Sequence, residues 1–179
     1  MTSIALARHG ETDYNAMRRF QGHLPVPLND TGREQAHVLA REAAQREWAA
    51  LWCSPLERAL ETARIVGAAI GIEPHLDARF AETDTGDWTG RSFDEMEAED
   101  PAGFACFMRA DPEWAFPGGE SYVQQGERIQ AGLADVRAGA QPALVVCHRG
   151  VMRLAITHAR GEPLSAIEVP NASLVELGR

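Results

Sequence analysis

The sequence predicts an α/β protein, a three-layer α/β/α sandwich with a mostly parallel central sheet flanked by helices. Three observations carry that expectation. Short apolar runs of strand length recur as SIALAR (residues 3–8), WAALWCS (48–54) and ALVVC (143–147). The last has four apolar residues in a row before its cysteine, as in a strand covered on both faces. Between the runs lie stretches in which apolar residues return at helical spacing, and strands alternating with helices build a sheet packed from both sides.

Element by element, the first strand ends at Arg8 and His9, where a polar turn begins. GHLPVPLNDTG (22–32) reads as a loop that caps a helix running to about residue 47, with Ala36, Leu39, Ala40 and Ala43 on one face. After the second strand, Pro55 suits a first helical turn, and Leu56, Leu60, Ala63 and Val66 carry that helix to Gly71. Leu76 to Phe80 reads as a weaker strand. Residues 81–119 are the least regular, with turns at Gly86 and Gly90, an acidic helix from Ser92, and Pro112 and Pro117 beyond it. A helix follows from Ser121 to about residue 138. Another runs from Gly150 to about Ala159, after ALVVC, and ASLVEL (172–177) forms a last strand. No repeat or interdomain linker interrupts the chain, so residues 1–179 read as one domain.

Bulk properties narrow the function. A formal charge of −9 argues against a general nucleic-acid binder, which needs a basic face to displace counterions. No apolar run approaches bilayer length and no basic-then-apolar segment opens the chain, so neither a membrane partner nor a signal peptide is expected. Three cysteines without metal-ligand spacing suit a reduced, cytoplasmic setting. His23, His37, His75 and His158 likewise lack a spacing that suggests a metal.

In α/β sheets, ligands sit beyond the carboxyl ends of strands. Three polar clusters fall there: Arg8-His9, Ser54 with Arg58, and His148-Arg149. Taken singly, each has an ordinary reading as a turn histidine or a solvated arginine. Gathered at one sheet edge, two guanidiniums and two imidazoles repel one another unless an anion joins them. Phosphate is the commonest anion that matches forked arginine geometry.

LARHGETDYN, SPLERALETA (54–63), ETDTGDWTG (82–90) and VVCHRGVMR (145–153), in this order and spacing, resemble the histidine phosphatase superfamily, also called phosphoglycerate mutase-like. The likeness runs from residue 4 to about residue 177. It implies that His9 is a nucleophile that becomes a phosphohistidine. Arg8, Arg58 and His148 would hold the phosphoryl oxygens, and Glu82 would be the proton donor. Asn15, Gln21 and Gly22 would line the substrate pocket, with Thr12 offering one more oxygen contact. Neither metal nor cofactor is implied, and the partner is a small phosphomonoester; a homodimer is compatible with it. The enzyme expected is a phosphomonoester hydrolase of the histidine acid phosphatase type. Thr83, Asp84 and Thr85 follow Glu82 where mutases of the family carry Arg and aromatic residues, and FPGGESY (116–122) resembles a loop of the phosphatase branches. Arg149 stands where relatives often have Gly and is expected to lean to solvent.

Two other readings remain in view. Cys147, five residues and Arg153 match the spacing of a cysteine phosphatase loop, but that leaves the earlier clusters unexplained. A non-catalytic phospho-ligand module should lack the nucleophile or the proton donor, and phosphoglycerate mutase-type transfer is the alternative within the family. Trp88, Trp114, Phe104, Phe107 and Phe116 suit either an apolar wall over the leaving group or a satellite core.

Overall fold

Why the polar clusters meet follows from the sheet. The structure, a computed structural model, describes residues 3–177. Strands β1 (Ile4–Arg8), β2 (Ala50–Cys53), β3 (His75–Leu76), β4 (Ala143–Cys147) and β5 (Leu174–Glu176) pair in the order β3-β2-β4-β1-β5. The first four are parallel and β5 runs antiparallel to β1.

Successive residues alternate between two cores, as a pleated strand requires. Ala5 and Ala7 of β1, with Leu144 and Val146 of β4, meet α2 (Asp30–Ala43) and α3 (Glu57–Ile70). Ile4 and Leu6, with Val145 and Cys147, meet α6 (Tyr122–Ala138) and α7 (Arg149–Arg160). Each fully buried Leu or Val contributes about 1.5–3 kcal/mol relative to exposure. Local signals set the helix ends. The Asn29 side chain accepts the Gly32 N–H at the start of α2, Ser121 and Gln124 form a reciprocal capping box on α6, and α3 stops at left-handed Gly71.

The connection after β1 leads to the α2 face, whereas that after β4 enters α7 on the opposite face. These strands are parallel neighbours, so their exits diverge and open a crevice at their carboxyl ends. A third cluster covers that edge: Phe20, Trp88, Met96, Phe104 and Phe116, with Phe93, Phe107 and Trp114 packed against them. It is carried by α4 (Phe93–Glu99), α5 (Pro101–Arg109) and neighbouring loops.

Several boundaries differ from the sequence expectation. The polar turn after His9 contains a one-turn helix, α1 (Asp13–Ala16), because Thr12 and Asn15 close a capping box. The helix expected to reach residue 47 ends at Ala43, whose carbonyl accepts the Trp48 indole N–H. Leu76–Phe80 is not a strand: only His75–Leu76 pairs, because Asp77 accepts the Arg79 N–H and starts a 3₁₀ turn. The acidic helix is two helices, broken where Asp100 caps α5 with Pro101 behind it.

Candidate active site

Register explains the first pair of side chains. Arg8 lies opposite Cys147 in the β1–β4 ladder, so the next residues, His9 and His148, are also neighbours. Their rings stand 5.1 Å apart, tilted by 59°, and both are almost wholly buried. His9 Nδ1–H donates to the Gly10 carbonyl at 2.6 Å, which leaves Nε2 as the free lone pair. Burial, then Arg58 and Arg8, hold the His9 imidazole well below its ordinary pKa, so it is neutral at pH 7. His148 is depressed in the same direction by burial, Arg58 and His9. Its Nε2 pairs with Ser54 Oγ at 2.7 Å, while Nδ1 is buried without a partner.

The loop carrying His9 must pass very close to α2. A Cβ on Gly10 would lie 2.2 Å from the Gly32 carbonyl oxygen, and one on Gly32 would lie 2.0 Å from that of Glu11. Only glycines permit this crossing. Gly10 N–H then donates to Thr62 Oγ1, whose hydroxyl donates to the Arg58 carbonyl, tying the His9 loop to α3.

Arg58 is fully buried and forms no salt bridge among the described residues; it donates to the carbonyls of Gly22 and Leu24 at 2.9 and 3.2 Å. Arg8 donates to the Val169 carbonyl at 2.8 Å. Burial brings both guanidiniums down to about 10. The Nε of each is buried without an acceptor. Of six unpartnered buried side-chain atoms among the described residues, three therefore belong to Arg8, Arg58 and His148. Buried donors without acceptors are uncommon, and three together mark a place for an oxyanion.

Glu82 faces the start of α7. Its Oε1 accepts the Thr83 N–H at 2.9 Å, and Oε2 lies 3.4 Å from the Gly150 nitrogen. A Cβ on Gly150 would come within 2.4 Å of Oε1. Two supports were not anticipated from the sequence. Thr83 hydroxyl donates to Gln125 Oε1 at 2.7 Å, and Arg128 donates to the carbonyls of Arg79, Ala81 and Glu82 while pairing with Glu120. Gln125 carried a signal: it interrupts the apolar face of α6 between Tyr122 and Ile129, yet is fully buried.

These groups border a cavity of about 350 Å³. Arg8, His9, Asn15, Gln21, Gly22 and Glu82 line it; Arg58 and His148 are buried behind that lining. Thr12 is also behind it. Its hydroxyl donates to Gln21 Oε1 at 2.9 Å and accepts the Asn15 N–H, so it holds the pocket residues instead of facing the cavity. Of the five aromatic candidates, Phe107 and Phe116 line the cavity, joined by Phe20 and Phe93, whereas Trp88, Phe104 and Trp114 pack behind. Arg149 is exposed, as expected, but stands at the cavity mouth. Cys147 sits inside β4 in the core, where burial pushes its thiol up, and helix α7 occupies the residues that a cysteine phosphatase loop would need. The cysteine reading is thereby set aside.

The geometry agrees with what the chain is similar to. The family model described as histidine phosphatase superfamily (branch 1) matches residues 4–179. A glucosyl-3-phosphoglycerate phosphatase of Mycolicibacterium vanbaalenii is 35% identical over an alignment of 187 residues, covering 97% of this chain and 83% of that one. Phosphoserine phosphatase 1 of Hydrogenobacter thermophilus is 31% identical, with 92% and 79% covered. A solved mycobacterial glucosyl-3-phosphoglycerate phosphatase in complex with VO3 superposes with a TM-score of 0.90 at 32% identity, covering 98% of this chain and 90% of that one.

Proposed function

Because the chain belongs to the histidine phosphatase superfamily, we propose that it hydrolyses small phosphomonoesters through a phosphohistidine on His9, with Glu82 as the proton donor. The observation that carries this reading is the trio of unpartnered buried nitrogens on Arg8, Arg58 and His148, beside a neutral His9 with Nε2 free.

His9 Nε2 attacks phosphorus, forming a P–N bond as the P–O bond to the alcohol breaks. Protonated Glu82 gives its proton to the departing alkoxide. Water then attacks the phosphohistidine, Glu82 takes a proton from it, the P–N bond breaks, and inorganic phosphate leaves with His9 restored. Charge in each transition state spreads over the phosphoryl oxygens, so Arg8, Arg58 and His148 act by position and field. A Ser54 hydroxyl donating to His148 Nε2 leaves His148 Nδ1–H as the donor toward phosphate. No step needs a metal or cofactor. The enzyme is thus of the histidine acid phosphatase type. Cys53, Cys106 and Cys147 are all free thiols, which supports a reducing, cytoplasmic setting.

The test is phosphate release from p-nitrophenyl phosphate and a panel of phosphorylated metabolites, including glucosyl-3-phosphoglycerate and phosphoserine, in EDTA. Wild type is expected to turn over, to leave acid-labile phosphate on the protein in a quenched single turnover, and to lose both with His9→Ala. Activity that survives His9→Ala, or disappears in EDTA, refutes the mechanism.

A further inference from the structure

Past the phosphate site, the same cavity holds a second group of positive charges that the mechanism does not use. Arg149 and Arg153 reach it from α7, and Arg18 from the turn that follows α1. Among the described residues, none of the three has a carboxylate within 4.0 Å. This is not for want of acids: the chain has 26 Asp and Glu against 17 basic residues. Yet among the described residues Glu82 is the only carboxylate lining this cavity.

The arrangement is unfavourable in the free protein on three counts. Arg149 and Arg153 are like charges at i,i+4 on one helix. Arg149 opens α7, where the helix dipole disfavours a cation. Arg153 is half-buried, and burial followed by Arg149 lowers its pKa; its Nε and Nη2 are pinned on the Leu164 carbonyl. Arg18 holds a left-handed backbone (φ 51°) and stacks on Phe93 at 5.5 Å. Arg8 and Arg58 already offset a phosphoryl dianion, so the remaining charges call for another anion.

We propose that the alcohol part of the substrate carries its own anionic group, a carboxylate or a second phosphate, received by Arg149 and Arg153 together with Arg18. This rests on the phosphomonoesterase reading and assigns the specificity side of that site. Tyr122, on the same wall, stays protonated because burial pushes it to about 12, and it offers a neutral donor beside the arginines.

The experiment compares kcat/KM for glycerol 3-phosphate, 3-phosphoglycerate and glycerol 1,3-bisphosphate. The first two differ in a CH2OH replaced by a carboxylate, and the third substitutes a phosphate. At least one anionic substrate is expected to exceed glycerol 3-phosphate by about tenfold or more, the scale of one charge-assisted hydrogen bond, and which of them does so identifies the group. In Arg149→Gln and Arg18→Gln/Arg149→Gln, both at exposed positions, that ratio is expected to fall toward one, with circular dichroism confirming the fold. Anionic substrates within about threefold of glycerol 3-phosphate, or a preference that survives the double substitution, overturn the inference. Hydrolysis of p-nitrophenyl phosphate by wild type and not by His9→Ala would then leave the phosphatase reading standing. No turnover of any substrate overturns both.

Discussion

The cradle at the strand ends and the aromatic cap above it face one cavity but are held by different forces. In the cradle, parallel register sets His9 beside His148, and three of the four groups are anchored to backbone: His9 on Gly10, Arg8 on Val169, Arg58 on Gly22 and Leu24, with His148 held by the Ser54 hydroxyl. The cap has no sheet. Its aromatic rings pack around Phe20, with centroids 4.4–5.9 Å from Phe93, Phe107, Trp88 and Phe116. Backbone anchoring makes a site whose atoms cannot drift, as phosphoryl transfer requires. Ring packing closes the other side of the cavity, where Phe20, Phe93, Phe107 and Phe116 line it, without such anchors.

Substituting Glu82 should show the largest effect. Glu82→Gln keeps an acceptor for the Thr83 N–H but removes the transferable proton. We expect kcat on alkyl phosphates to fall by roughly 10²–10⁴. p-Nitrophenolate leaves without protonation, so its release in a pre-steady-state burst should suffer less. Equal losses on both substrates would deny Glu82 its role as acid.

A cap substitution should reverse the pattern. Phe104 is buried in the aromatic cluster and does not line the cavity. Phe104→Ala is expected to cost about 3–5 kcal/mol of stability in urea unfolding, with p-nitrophenyl phosphate turnover changed only a few-fold at 20 °C. If turnover instead falls as far as in Glu82→Gln, cap and cradle are not separable.

The contrast also explains which parts were legible in the sequence. Arg8, His9, Arg58 and His148 were readable because each follows a strand or opens a helix, and parallel topology converts those chain positions into proximity. Glu82 rests on the resemblance, since only its place before GDWTG lifts it above Asp84 or Asp87. Its supports were hidden for a physical reason: Arg128 acts from the middle of α6 on carbonyls about 46 residues away in sequence, and no periodicity encodes that. The cap boundaries failed for another reason. The Asp100 cap that splits α4 from α5 was written in the chain but sat in an acidic run that reads as one helix.

Gly150→Ala probes the seam between the two regions. The added methyl would overlap Glu82 Oε1, so the carboxylate must move while the cradle stays in place. A displacement of about 1 Å costs on the order of 10² in rate. Inorganic phosphate should bind with unchanged affinity by calorimetry, since Arg8, Arg58 and His148 are untouched. A loss of phosphate affinity equal to the loss in rate would place Glu82 within the anion site itself.

The smallest effect is thermodynamic and separates the regions by pH. His9 and His148 are held below their ordinary pKa when folded, whereas in the unfolded chain they titrate near 6.5. Above that pH neither state binds the protons and their contribution is constant. As pH falls below about 6.5, the unfolded state takes up protons that the folded state refuses, so stability declines by up to about 1.4 kcal/mol per pH unit for each histidine. Urea unfolding at pH 7.5, 6.5 and 5.5 should show this slope in wild type and in Phe104→Ala alike, and a shallower one in His148→Asn. Inorganic phosphate should flatten it, because an anion among these rings stabilises their protonated forms and binds only the folded chain. An identical slope in wild type and His148→Asn would mean that His148 titrates freely, and the buried cationic cradle would lose its electrostatic basis.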